Sequence, residues 1–170
     1  MSTTITDGST PAPGSSGNFV GFQQSPLSGA GGPFYPAIDG ANVVFGGESS
    51  PGTYGLYLCH DGQISLVAEF GSAIPGGTGD FIAFNSFSHL SGDTVVFRGT
   101  GNRDYGFYVS AGGVPRRIAD TTAVSPGQTI PLISFGYPVI SGNAVYFNGR
   151  TASPTAYIAT PTERSASWCR

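Results

Sequence analysis

Gly40-Ala41-Asn42-Val43-Val44-Phe45 returns as Gly92-Asp93-Thr94-Val95-Val96-Phe97 and again as Gly142-Asn143-Ala144-Val145-Tyr146-Phe147. In each copy a glycine and a polar residue precede a run in which Val43, Val95 and Val145 share one face with the phenylalanines. Val44, Val96 and Tyr146 take the other face. Apolar residues on both faces describe strands of a sheet covered on both sides. Working outward, Tyr57, Tyr108 and Tyr157 occupy equivalent places downstream. Asp7, Pro13 and Phe22 recur as Glu69, Pro75 and Phe84 and as Asp120, Pro126 and Phe135, with the same offsets of six and nine residues. Three copies of a unit of about 50 residues predict a repeat architecture. The expected units lie near 8–69, 70–120 and 121–170 of a single domain, 1–170, with residues 2–7 as a latch strand.

Four short strands are expected per unit. Strand a falls at 34–38, 87–90 and 137–140, and strand b at 42–45, 94–98 and 144–148. Strand c falls at 55–59, 106–110 and 156–159, and strand d at 64–68 and 114–119. Clusters of Gly, Asn, Asp and Ser separate them, as tight turns require. Four-stranded sheets, each sandwiched between neighbours, predict the blades of a β-propeller. A β-solenoid is the rival, but it does not call for four strands per repeat. The first copy carries about ten extra residues, 23–32, between Phe22 and Phe34. In repeat proteins such an insertion maps to a loop, often on the working face.

Composition narrows the function classes. The 27 Gly and 13 Pro suit an all-β chain with many turns, and only 10% of residues are charged. All seven basic residues are Arg, and the net charge is −3, so nucleic acid is not an expected partner. No apolar run reaches the 18 or so residues of a membrane helix. The first seven residues lack the basic and apolar regions of a signal peptide. A cytosolic protein, a mature form and an excised piece all remain open, and the Lys-free, Gly/Ser/Thr-rich character leans toward export. Cys59 and Cys169 have no metal-ligand spacing. A disulfide between them and two separate thiols both remain open.

The ends are out of phase with the units. Residues 5–7 align with 67–69 and 118–120, which close strand d, while the third copy shows no strand d of its own. The order is d, abcd, abcd, abc. Propellers run from about four to eight blades, so three blades do not close a ring. The expectation is a homodimer forming one six-bladed ring, with residues 3–7 of each chain pairing against 156–159 of the other. A fragment of a longer propeller, or a C-terminal tail serving as its own fourth strand, is the alternative.

The units resemble repeats found in large uncharacterised bacterial proteins predicted to be propellers. The shared elements are the segment 39–45, Gly55-Leu56-Tyr57, Val67-Ala68-Glu69, Pro75-Gly76 and Phe81 to Phe84, with counterparts in the other copies. The resemblance spans about residues 3–160 and implies a fold, with no activity attached. Proteins of this kind are often exported or surface-associated. The Trp-Asp dipeptide of WD-repeat blades and the paired glycines of kelch blades are absent.

The chain contains no nucleophile elbow, His-Glu-x-x-His, P-loop or Cys-x-x-Cys motif. Of two histidines, His60 opens the turn His60-Asp61-Gly62. His89 replaces Ala37 and Val139 in strand a, the strand that lines a propeller channel, where an imidazole is able to serve as acid, base or ligand contact. The aromatic residues expected beside it are Tyr35, Phe87 and Tyr137. Asp7, Glu69 and Asp120 are expected to tie down their own loops by accepting backbone N–H bonds. Tyr57, Tyr108 and Tyr157 are expected to pack between sheets. Arg116 and Arg117 are placed on an outer edge strand, where charge deters unwanted pairing. Neither catalytic residue nor metal nor cofactor is assigned. The expected function is a non-catalytic binding or structural module presenting loops or a channel mouth to a protein or glycan. The alternative is a propeller-type hydrolase or lactonase acting at that mouth.

Overall fold

The computed structural model describes residues 4–22, 35–50, 52–84, 88–102, 105–121, 131–142, 144–151 and 156–161, the last of these for the backbone only. The fold is all-β, and every regular element among these residues is a strand in an antiparallel sheet. The first sheet holds β1 (Phe19–Gly21), β2 (Ala37–Asp39), β3 (Asn42–Ser49), β4 (Thr53–His60) and β5 (Gln63–Glu69). The second holds β6 (Ala83–Phe84), β7 (His89–Ser91), β8 (Thr94–Thr100), β9 (Tyr105–Ala111) and β10 (Arg116–Asp120). The third holds β11 (Ser134–Phe135), β12 (Val139–Ser141), β13 (Ala144–Arg150) and β14 (Ala156–Pro161).

The central strand of each sheet, β3, β8 or β13, is flanked on one side by the following strand. On its other side lie two short pieces placed end to end: β1 and β2, β6 and β7, or β11 and β12. The short strands β1, β6 and β11 were not expected from sequence. Their phenylalanine-bearing segments pair with the far half of the central strand, Phe84 against Gly99 and Phe135 against Gly149. The turns explain why these segments form hairpins. Gly40, Gly92 and Gly142, at φ 60°, 60° and 54°, hold the first position of the two-residue turns into β3, β8 and β13. That position of a type II′ hairpin turn demands a left-handed backbone, which glycine adopts without steric cost.

The connection into each sheet also has a fixed form. Ser15 N donates to Ala12 O (3.1 Å) around Pro13-Gly14, and Gly77 N donates to Ile74 O (3.1 Å) around Pro75-Gly76. Proline presets φ at the first turn position, and Gly14 and Gly76 supply the positive φ at the second. Phe19 N to Thr10 O (3.0 Å) and Phe81 N to Ser72 O (2.9 Å) then close the two loops alike. The corresponding stretch before the third sheet, with Pro126, lies outside the described residues, as do the inserted residues 23–32, Phe34 and Cys169.

The three sheets stack face to face. Val44, Leu56 and Leu58 on one face of the first sheet share a core with Val95, Phe97 and Tyr108 of the second. Val96, Phe107 and Val109 on the opposite face of the second sheet share another with Val145 and Phe147 of the third. Each sheet thus has a leading face, turned toward the sheet before it, and a trailing face, turned toward the sheet after it. Both central-strand valines of the second sheet are fully buried, as the two-sided apolar pattern requires. Each such side chain contributes on the order of 1.5–3 kcal/mol. The leading face of the first sheet is covered by its own preceding loop, through Ala12 and Phe19 against Phe45 and Tyr57. In this single chain residues 4–7 form no strand, and among the described residues nothing pairs with the outer edge of β14.

Candidate functional site

The edge strands converge. β7 lies against β2 on one side and β12 on the other, so the three sheets meet along the strands expected to be innermost. The turn of the first sheet grips that of the second at this junction. Asp39 Oδ2 accepts from Gly92 N (2.7 Å), and Asn42 Nδ2 donates to Gly92 O (3.1 Å). Both polar groups of one glycine are engaged by the neighbouring sheet, which fixes the spacing of the edge.

Tyr35 and Tyr137 hold equivalent places just ahead of β2 and β12, 52% and 64% exposed. Phe87, the third aromatic of the expected set, lies outside the described residues. His89 opens β7 directly opposite Val96. Cross-strand partners point to the same face. Its ring therefore turns toward the third sheet, at the rim of that core, and is half-buried. Burial holds the imidazole below its ordinary value near 6.5, so it is neutral at pH 7. The middle strand of the junction thus carries the neutral His89, and Tyr35 and Tyr137 precede its two neighbours. Among the described residues, no three His, Cys, Asp or Glu side chains are grouped to hold a metal.

The three recurring carboxylates do three different things. Asp7 Oδ1 accepts from Ser9 N (2.9 Å), Ser9 Oγ (2.7 Å) and Thr10 Oγ1 (3.2 Å), and the bonds from Ser9 foremost hold its carboxyl below the usual range. That is the loop-tying role expected. At Glu69 the backbone carbonyl takes that part, accepting from Ser72 N (3.3 Å) and Ser72 Oγ (2.7 Å). Asp120 is buried and pairs with Arg117 along the edge strand β10. His60 ends β4, its Nδ1 3.0 Å from Asn42 Oδ1.

Tyr57 and Tyr108 are buried on the leading faces of the first two sheets. Tyr57 meets Phe19 edge-on at 4.8 Å, and Tyr108 meets Phe81 edge-on at 4.9 Å. The Tyr57 hydroxyl bonds to the Ser49 side chain. Tyr157 belongs to β14, whose side chains are outside the described set. Sequence reasoning missed what these rings rest on. Gly47 pairs across the strands with Gly55, and Gly99 with Gly106. A Cβ on Gly99 would stand 2.3 Å from the Phe81 ring and 3.1 Å from Tyr108. The signal was present as glycines near the ends of strands b and c, but their meaning depends on register.

A groove of about 350 Å³ opens on the leading face of the first sheet, lined by Ile5, Phe22, Pro36, Val43 and Phe45 among others. No curated protein and no solved structure matches the chain. A family model does, over residues 1–99, more than half the length and covering the whole first sheet with β6, β7 and most of β8. The chain belongs to that family, one of unknown function designated DUF7453.

Proposed function

We propose that this is a β-propeller repeat protein whose three sheets are successive blades, acting as a non-catalytic binding or structural module. The observation that carries this reading is the convergence of β2, β7 and β12, together with the exposure of Tyr35 and Tyr137 just ahead of two of these strands; we read Tyr35, His89 and Tyr137 as one ligand-facing edge. In a propeller the innermost strands surround the channel, and ligands enter at its mouth. Exposed phenol rings beside a neutral imidazole favour an uncharged partner, a glycan or a protein loop, held by stacking. A glycan array probed with the intact chain tests this. We expect retained signal that falls at least tenfold in a Tyr35→Ala/Tyr137→Ala double variant. Metal-dependent hydrolysis abolished by His89→Ala would overturn the non-catalytic reading.

Three blades leave an open arc, and the complete module is a homodimer of six blades in which residues 3–7 of one chain extend the sheet of β14 in the other. The unpaired edge of β14 among the described residues supports it. An exposed edge strand is a template for pairing with another chain. Light scattering on the intact chain at micromolar concentration tests the assembly, and a single-chain mass would sink it.

A further inference from the structure

Among the described residues, each of the two outermost faces of the stack keeps an exposed apolar part beside the part its own chain covers, and each is the counterpart of a face that is covered within the stack. On the leading side, Leu90 of the second sheet and Ile140 of the third are partly buried against the sheet before them. Ile38 holds the same place on the first sheet and is 72% exposed. On the trailing side, Val44 and Val96 are fully buried, whereas Tyr146, in the same place on the third sheet, is 48% exposed. Its cross-strand partner Val139 is 50% exposed on the same face.

We infer that the exposed parts of these two faces dock on each other between two copies of the chain, with Tyr146 and Val139 of one copy seated against Ile38 and Phe22 of the other. The inference rests on the six-bladed reading and gives it an interface. Its occupant is named by what already covers these positions inside the chain. The leading face of the second sheet is closed by the trailing face of the first, with β7 lying against β3, and the third by the second in the same order. Carried one step further, β2 of one copy lies against β13 of the next. The groove of about 350 Å³ beside Phe22 and Phe45 has no charged residue among the described residues that line it, and its volume accommodates an aromatic ring. A trailing-to-leading contact is heterologous, and used twice around six sheets it closes a two-fold ring. Open faces of this kind otherwise form an exposed apolar patch that invites association.

The test uses the intact chain. Tyr146→Asp and Ile38→Asp each place a charge on one open face at an exposed position, so far-UV circular dichroism is expected to be unchanged. Light scattering is expected to give twice the single-chain mass for the native chain and the single-chain mass for each variant. Separately, chains carrying Ile38→Cys and chains carrying Tyr146→Cys, both with Cys169→Ser, are mixed under mild oxidant. A disulfide-linked pair is expected in the mixture at ten times or more the yield of either chain alone. A native dimer that survives both aspartate variants, or a mixture that cross-links no better than its components, overturns the docking while leaving the dimer standing on another surface. A native chain of single-chain mass overturns both.

Discussion

Gly47 and Gly55 stand directly opposite each other across β3 and β4, and the Tyr57 ring lies over the pair where their side chains would be. A Cβ on Gly55 would come 2.9 Å from that ring, and one on Gly47 would come 2.8 Å from Phe19. Gly99 and Gly106 repeat the arrangement beneath Phe81 and Tyr108. Bare backbone here lets a loop ring and a strand ring sit edge to face on the sheet itself.

Gly99→Ala is therefore expected to destabilise the chain by about 1–3 kcal/mol, the usual range for overpacking a filled site. Gly113→Ala has nothing within 4 Å of the new Cβ and is expected to change stability by less than about 0.5 kcal/mol. Urea midpoints of the two variants, measured side by side, check the contrast. Equal midpoints would refute the seat.

Removing the ring that fills the seat is expected to be worse. Phe81 is 1% exposed and touches Phe84, Phe97 and Tyr108. Phe81→Ala leaves a cavity between the first and second sheets and is expected to lower stability by about 3–5 kcal/mol. Thermal unfolding by calorimetry gives the value, and a loss below about 1 kcal/mol would show that the sheets close over the gap.

Tyr54 carries a buried hydroxyl with no hydrogen-bond partner among the described residues, and burial foremost, with nearby Glu48, pushes its pKa up to about 12. An unsatisfied buried hydroxyl opposes folding. Tyr54→Phe is expected to stabilise the chain by about 1 kcal/mol while keeping the ring contact to Phe70 at 5.2 Å. Chemical denaturation checks the sign; a destabilised variant would mean that the hydroxyl has found a partner.

His89 makes stability pH-dependent. Its folded-state pKa lies below the ordinary 6.5 because burial disfavours the imidazolium. Above 6.5 both states hold a neutral ring and the histidine contributes no pH slope. As pH falls below 6.5 the unfolded chain takes up the proton first, and stability drops until the folded-state pKa is passed. His89→Gln is expected to flatten the fall between pH 7.5 and 5.5. Urea midpoints at the two values decide it, and identical slopes in both proteins would count against the assignment.

The central and following strands were legible in the sequence because their residues alternate on both faces and recur. The paired valines and phenylalanines of β3, β8 and β13 fall where the pattern put them. The short strands β1, β6 and β11 were not legible, since two or three residues carry no periodicity. Phe84 and Phe135 recur with Phe22 in the sequence, but Phe19 does not stand out there, and nothing in the pattern shows that these segments pair with the far half of the central strand. For His89 the pattern gave the strand. The face required knowing that Val96 stands opposite. Asp7, Glu69 and Asp120 share a place in the sequence but not a bonding scheme. Ser9 and Thr10 sit within reach of Asp7, while Asp120 pairs with Arg117 across the bulge of β10 between Arg117 and Ala119, which the sequence pattern does not reveal.

The Pro-Gly loops precede the sheets whose leading faces they cover: Phe19 comes before β3 in the chain, and Phe81 before β8. On the ribosome, each leading-face cover therefore emerges ahead of the sheet it protects. The first sheet meets Phe19 and Ala12 as soon as β4 and β5 leave the tunnel. Its trailing face alone waits, for Phe81, Phe84 and the strands after them. For these two sheets, synthesis from the N-terminus thus does not hold both faces open at once, which shortens the interval in which an unpaired edge and bare apolar surface coexist.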